Sequence, residues 1–591
     1  MVSSKAGLAR AVKHCKKHGV TALDFETTSL SPEDGRVRLV SLCNDRCGYL
    51  VDFDKVRGGF RGTAHLFEGG DWVVFNAGFE LRFFMDAGAE PSCLDVGNLR
   101  RAIQGGGNFS LKQIALWDIE VDMSKEQQTS DWGAKVLSRE QLDYAYLDAD
   151  TTWRLWCHWA QQADAGRWSA FRMLNDMVPA VIEMETAGML LDPEHHAKLV
   201  KDWTRVQRAK IKAIRELVPE AEVANINSDI LWSDYFAAKM PDNYLAVWPR
   251  TEKTGQLSMK VETLQRLAGA VAGTPLEEFF DALSGYKTIS KYLSSFGETL
   301  ITKSNLSQDK RIRARFNIGA AKTCRFSCSA PNLQQVPRDR ELLGEATSVR
   351  RSFVAGLGRK LVSLDYSGIE LRVLALLSGD EQLLEDMVEG DVHAEVAAVI
   401  AGRKINKKTK QGKLARQAAK AVSFGIIYGS GATGLSTTMR CPVDTAQDYI
   451  DFWQERYPKA FNLRYDMMDE VSRTRSIRMV DGGTVYMGKV PDLPKSSNYP
   501  VQRGAFAIMA RAITRHKASL DLARARHKQR QTRMISTIHD ALIDETAAVD
   551  AKRCLVIMEE DMVAGYLDMF SGAPVDNLVE GGIGPNWAEL E

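Results

Sequence analysis

The 591-residue chain has no run approaching the ~18 uninterrupted apolar residues of a membrane-spanning helix. It has no excess of either charge: 77 Lys+Arg against 76 Asp+Glu leave a net +1. That excludes a uniformly basic nucleic-acid binder and leaves room for a local basic surface. The nine cysteines never fall into a zinc pattern. The closest pairs, Cys43/Cys47 and Cys324/Cys328, have no second pair to complete a site, so all nine read as reduced thiols. The opening MVSSKAGLARAVKHCKKHGV lacks the apolar core of a signal peptide. Repeats and low-complexity tracts are absent. The expectation is a soluble cytoplasmic protein without membrane partners, long enough for about four ~150-residue folding units.

What is present is alternation. Short apolar runs (VTALDF, VRLVSL, WVVFN) alternate with helix-like segments before a polar seam near Gln161–Arg167, which predicts an α/β domain. After the seam the pattern is helical through Ala180–Ala187, Glu194–Val218 and Leu257–Tyr292. Strand patterns return at Lys360–Tyr366 and Met534–Asp544, framing a long helical insertion. A small sheet carrying chemistry under a helical lobe is expected.

In Leu23-Asp24-Phe25-Glu26-Thr27 a strand places both acids on one face and both apolar residues on the other. Paired carboxylates at ~4 Å repel by roughly 1–4 kcal/mol, and a hard divalent cation turns that cost into binding. Alone, the pair is a weak signal and reads first as a solvated strand face. Two further pieces add to it: Phe75-Asn76-Ala77-Gly78-Phe79-Glu80, and Tyr144-Ala145-Tyr146-Leu147-Asp148, where the phenol and the acid lie one helical turn apart. Four acids and a tyrosine can hold two metals and orient a water against a phosphodiester. This order of motifs resembles the proofreading 3′→5′ exonuclease domains of family A DNA polymerases. The resemblance implies Asp24, Glu26, Glu80 and Asp148 as metal ligands, Tyr144 as the water-orienting group and Asn76 as a contact to the terminal nucleotide. Glu80 departs from the Asp usual at its position, moving the carboxylate by about one bond length.

A second carboxylate pair lies at Leu361–Arg372, where an apolar strand ends in Asp365 before a helix start, and at Ile535–Asp544, which reads as a hairpin turning at His539-Asp540. The insertion supplies counter-charges. Arg403, Lys404, Lys407, Lys408, Lys410, Lys413 and Arg416 form a basic run, and Arg416, Lys420, Phe424 and Tyr428 recur every four residues on one helix face. Two cations followed by two aromatics suit a triphosphate at one end and a base or ribose at the other. A solvated cationic face over an aromatic core stripe fits the same spacing.

Asp-Tyr-Ser-x-Ile-Glu-Leu-Arg, Arg-x-x-x-Lys-x-x-x-Phe-Gly-x-x-Tyr-Gly and Ile-His-Asp resemble motifs A, B and C of family A polymerases of the bacterial DNA polymerase I type. Thr323-x-Arg325-x-Ser327, Asn498-x-Pro500-x-Gln502, Thr254–Ser258 and Gly584–Trp587 resemble further family signatures, so the resemblance spans about residue 20 to the end. It implies an α+β multidomain fold, with an α/β ribonuclease H-like exonuclease domain followed by a right-hand polymerase. The implied limits are 1–165 for the exonuclease and 166–591 for the polymerase, with thumb about 190–310, palm about 311–375 and 500–591, and fingers about 376–499.

The implied activity is template-directed DNA synthesis with proofreading. Asp365 and Asp540, with the Tyr366 carbonyl, would hold two Mg²⁺ (Mn²⁺ being the alternative), and Lys420 would protonate the leaving pyrophosphate. Arg416, Lys420 and His393 would contact the dNTP phosphates, Phe424 the sugar and base, and Tyr428 the templating position. Glu370 would exclude a ribose 2′-hydroxyl. Arg325, Asn498, Gln502 and His539 would touch primer-template DNA. Gly368, Cys324, Ala541 and Pro494 stand where Gln, Gly, Glu and Arg are usual, putting fidelity and template grip in doubt more than catalysis. Motifs beginning at residue 24 leave no room for a 5′ nuclease domain, and the thumb shows no processivity-factor insertion. A monomeric bacteriophage replicative enzyme, working in the host cytoplasm, is expected, with a bacterial repair polymerase as the alternative. An RNA-processing exonuclease would not need the second site, a single-subunit RNA polymerase would not carry Glu370 and the first domain, and a non-catalytic scaffold would be expected to lose Asp365, Asp540 or Lys420.

Overall fold

The alternation around Asp24 produces the strand Thr21–Thr27 at the centre of a five-stranded sheet in the computed structural model of the protein. The structure describes every residue except 125, 219–224, 252, 272, 339, 343–344, 389–391, 402–404, 407–408, 440, 489, 491, 527–530 and 591. Arg403, Lys404, Lys407 and Lys408 of the basic run lie outside the described residues. The chain forms two compact units, Met1–Thr186 with Arg315–Cys328 and Val362–Gly582, and Ala187–Ala314 with Ser329–Leu361 and Ile583–Glu591.

In the first unit the central strand runs antiparallel to Val37–Asn44, which pairs in turn with Cys47–Asp52, and parallel to Asp71–Val74, which pairs with Ser92–Asp95. Leu23 and Phe25 enter an apolar core with Phe60, Phe67 and Phe84, leaving Asp24 and Glu26 on the opposite face. Helix Arg139–Ala160 crosses that face. It starts at a capping box of Ser138 and Gln141 and is seated by Ala145, Ala149, Leu155 and Trp159. Both sides of the polar stretch Gln161–Arg167 lie in this unit. Helix Ala165–Asp176 follows, and Asp164 pairs with Arg478 at 2.7 Å.

The same unit holds a four-stranded sheet in the order Arg533–Ile538, Ala541–Ala547, Arg359–Tyr366, Val579–Gly584. Two helices, Leu493–Arg526 and Ala551–Met569, pack together so closely that a Cβ on Gly565 would lie 2.6 Å from the Ala512 amide nitrogen. Between the sheet segments come helices Ile369–Ser378, Glu381–Val388, Val392–Ala401, Lys410–Ile427, Ala432–Met439, Val443–Arg456 and Pro458–Thr474. Helix Val178–Ala187 projects Glu183 and Glu185 in different directions. Glu185 pairs with Arg82 and accepts from the Phe316 amide at 2.7 Å, while Glu183 pairs with Arg524 and accepts from the Met534 amide at 3.0 Å.

The second unit is built on long helices Pro193–Leu217 and Pro275–Phe296, with Val261–Ala270 and a core of Trp232, Phe236, Trp248, Phe279 and Phe280. No helix among the described residues is long and apolar enough to cross a membrane.

Candidate active sites

The sheet face predicted to carry acids brings Asp24, Glu26 and Asp148 together, with one oxygen from each within 4.8 Å of the others. Asp24 and Glu26 come from the strand and Asp148 from helix Arg139–Ala160. Glu80, on helix Ala77–Asp86, is buried beside Asp24, and its Oε2 meets no hydrogen-bond partner among the described residues. Burial first, and then the Asp148 charge, push Asp24 well above the usual carboxylate range. Glu26 is pushed up to about 10 by burial and by the charges of Asp24 and Asp148. Burial and the Asp24 charge raise Glu80 likewise. Like charges forced together, with a buried acceptor left over, are what a divalent cation relieves, so these residues fit one. Glu80 stands outside the three-acid cluster, close enough to Asp24 to feel its charge.

Tyr144 is hydrogen-bonded to Asp148, and burial together with the surrounding acids keeps its phenol neutral. Asn76 precedes helix Ala77–Asp86 at φ +73° and makes no capping bond with its side chain. It lines a cavity of about 260 Å³ with Leu30, Phe79 and Arg101. Sequence reasoning missed Asp95. Its carboxylate accepts from the Ala77 amide at 2.9 Å and from the Gly97 amide at 2.8 Å, so one side chain caps two helices and fixes the one that carries Glu80. An Asp at a strand end just before a helical run was the available signal.

At the second sheet, Asp365 is the penultimate residue of strand Arg359–Tyr366 and Asp540 lies in the turn between Ile538 and Ala541. The Tyr366 amide donates to the Asp540 carbonyl at 3.1 Å, so the two acids arrive side by side. Burial raises the Asp540 carboxyl to about 7, with Arg325 opposing and Glu370 and Asp365 adding to the rise. Glu370 is only 8% exposed; it pairs with Arg325 and accepts from the Tyr428 hydroxyl at 2.6 Å. The predicted sugar-gating, primer-contacting and template-stacking residues therefore meet as one group.

Helix Lys410–Ile427 carries exposed Arg416 and Lys420, then part-buried Phe424, with Tyr428 as its cap. Lys420 Nζ lies 5.6 Å from the Phe424 ring centre. Phe424 lies 5.8 Å from Tyr428 and 6.3 Å from His393, which comes from helix Val392–Ala401. Asn498 and Gln502 lie on helix Leu493–Arg526, where Gln502 accepts from the Thr323 hydroxyl at 3.3 Å. The Asn498 Oδ1 is buried without a partner among the described residues. His539 occupies the hairpin turn at φ +55°.

The departures also have local causes. Gly368 sits at φ +60°, where a Cβ would meet Met387 at 2.7 Å, so the Gln usual there would be strained and crowded. Cys324 adopts φ +62° without being glycine, and its thiol donates to the Arg101 carbonyl at 3.9 Å. Pro494 packs on Gly429, where a Cβ would lie 2.9 Å from the Pro494 Cα.

Residues 195–589 match the family described as DNA polymerase family A, and residues 1–162 match the family described as 3′-5′ exonuclease. The chain belongs to DNA polymerase family A. Within this family it is 27% identical to DNA polymerase I of Chloroflexus aurantiacus over 536 residues, covering 87% of this chain and 54% of that protein. It is 32% identical to the thermostable DNA polymerase I of Thermus aquaticus over 344 residues, covering 57% of this chain and 39% of that one. DNA polymerase I of Aquifex aeolicus aligns over 100% of this chain and 99% of its own length at 25% identity. The chain thus spans about half or less of the first two relatives and nearly the whole of the third. The polymerase domain of Pol1 from M. smegmatis, solved with DNA primer-template and dNTP, shares the fold with TM-score 0.80 at 20% identity, covering 98% of each chain.

Proposed function

We propose that this family A protein copies DNA by adding dNTPs to a primer 3′-hydroxyl and removes mispaired 3′ ends at a separate exonuclease site. The observation that carries the reading is the convergence of Asp365 and Asp540 on neighbouring strands, beside the Glu370–Arg325–Tyr428 group. Asp365 and Asp540, with the Tyr366 carbonyl, would hold Mg²⁺ in one site, and Asp24, Glu26, Glu80 and Asp148 in the other. Bound there, divalent cations activate the attacking oxygen and offset charge on the departing one.

The protein's own groups do the rest. Arg416, Lys420 and His393 receive the triphosphate, and Lys420 delivers a proton to the leaving pyrophosphate. Phe424 packs on the incoming sugar and base, and Tyr428 stacks at the templating position. Glu370, held from both sides, leaves no room for a 2′-hydroxyl. Arg325, Asn498, Gln502 and His539 line the primer-template path. In the exonuclease site the neutral Tyr144 hydroxyl orients the attacking water, and Asn76 holds the terminal nucleotide. The role proposed for that synthesis is replication of a bacteriophage genome. The bacterial identity of the named relatives favours a second reading, a bacterial repair polymerase.

The test is extension of a labelled primer-template with Mg²⁺ and dNTPs, with a lane lacking dNTPs. Asp365→Ala should lose extension by at least 10³-fold and keep degradation, and Asp24→Ala should do the reverse. Degradation without extension by the unaltered protein would overturn the polymerase assignment.

A further inference from the structure

The hairpin that carries Asp540 at its tip is gripped at its base on a single rung. Met534 and Asp544 face each other across its two strands. On the Met534 side, the Glu183 carboxylate accepts from the Met534 amide at 3.0 Å and pairs with Arg524 at 2.8 Å. On the Asp544 side, a fully buried carboxylate stands beside Leu542 and Ile543, which are equally buried. A carboxylate in such a place is costly unless a charge answers it.

The answer is His516 on helix Leu493–Arg526, itself 0% exposed. Its Nε2 lies 2.8 Å from the Asp544 Oδ2, and its Nδ1 lies 2.9 Å from the Asp561 Oδ2 on helix Ala551–Met569. Two carboxylates on the two ring nitrogens require both nitrogens to donate, which only the imidazolium does. Burial works against the charged ring, but Asp544 and Asp561 outweigh it and hold it at about 9. The other polar groups facing this cluster are Ser519, which donates to Asp561 at 2.8 Å, and Cys554, which donates to Asp544 at 3.4 Å. Beyond them stand Arg524, near Asp544, the Lys517–Glu183 pair at 3.6 Å and the Arg515–Asp568 pair at 2.6 Å.

We propose that His516 is a positioning residue for polymerisation: its imidazolium locks the Met534–Asp544 rung to two helices and so sets the tilt of the turn that presents Asp540. The proposal rests on the reading of Asp540 as a polymerase carboxylate. Asp544 follows Asp540 by four residues, about 13 Å along a strand, so a small rotation at the rung becomes a displacement at the tip. A ~1 Å misplacement of a reacting group costs on the order of 10²-fold in rate. The helix that carries His516 also carries Asn498 and Gln502, so the same lock ties the predicted DNA-contacting helix to the acid.

The experiment compares the unaltered protein, His516→Gln and Asp540→Ala in primer extension across pH, with single-strand degradation measured on the same preparations. His516→Gln should lower kcat for extension at least tenfold at pH 7, with KM for dNTP and the degradation rate within twofold. Extension by the unaltered protein should fall as pH passes about 9, and that limb should vanish in the variant. A His516→Gln protein that extends at the unaltered rate, or that loses rate but keeps the alkaline limb, overturns the proposal. In the first case an inactive Asp540→Ala leaves the reading of Asp540 standing, whereas an active Asp540→Ala removes both. The ring resonances of histidine-labelled unaltered protein give an answer even if the variant does not fold. A His516 midpoint near 9 supports the proposal, and one near 6.5 overturns it.

Discussion

Single side chains in the exonuclease cluster are arranged against their own stability. Asp24, Glu26 and Glu80 are all raised above the usual carboxylate range, by burial first and then by neighbouring acids, Asp148 for Asp24 and Asp24 for the other two. A carboxylate raised on folding removes stability as pH climbs from its unfolded value, and for Glu26 that window runs from about 4.5 to about 10. In EDTA at pH 9, Asp24→Asn should therefore melt higher than the unaltered protein, by about 1–4 kcal/mol of relieved repulsion. With Mg²⁺ the order should invert, because the variant has lost a ligand; melting curves with and without the ion check both halves. The acids were legible one by one, since strand alternation and helical spacing place Asp24, Glu26, Tyr144 and Asp148 from the sequence alone. His516 was not legible, because its partners lie 28 and 45 residues away and no local period links them.

Elements that looked ordinary in sequence position the acids Asp365 and Asp540. The hairpin and the strand carrying Asp365 were predicted from apolar runs, and both are present. What the runs could not show is the rung Met534–Asp544, where three elements meet one buried imidazolium. Its folded-state value of about 9 lies above the 6.5 of an ordinary histidine. Its contribution is then fully present below pH 6.5 and lost as pH rises through 9, on the order of 3 kcal/mol in all. Melting of the unaltered protein should drop between pH 7 and pH 10 by more than that of His516→Gln. Equal drops would assign the loss to other groups.

Across the molecule, the order of the motifs was readable because each lies within one local element, and the polar seam at Gln161–Arg167 was readable as a change of composition. The continuity of the first unit through Thr186 was not, because it depends on pairs such as Asp164–Arg478 between distant segments. The ten-residue helix Val178–Ala187 is the other such link. Glu185 holds Arg82 on the helix of Glu80, and Glu183 holds the hairpin of Asp540. Leaving a part-buried arginine without its carboxylate costs about 1–3 kcal/mol. Glu185→Ala should therefore slow degradation several-fold more than extension, and Glu183→Ala the reverse, as the ratio of the two rates on one preparation will report. On that expectation, degradation and extension would be adjusted separately from two positions with one residue between them. A mutator or antimutator lineage could arise by changing either one, with every metal ligand untouched.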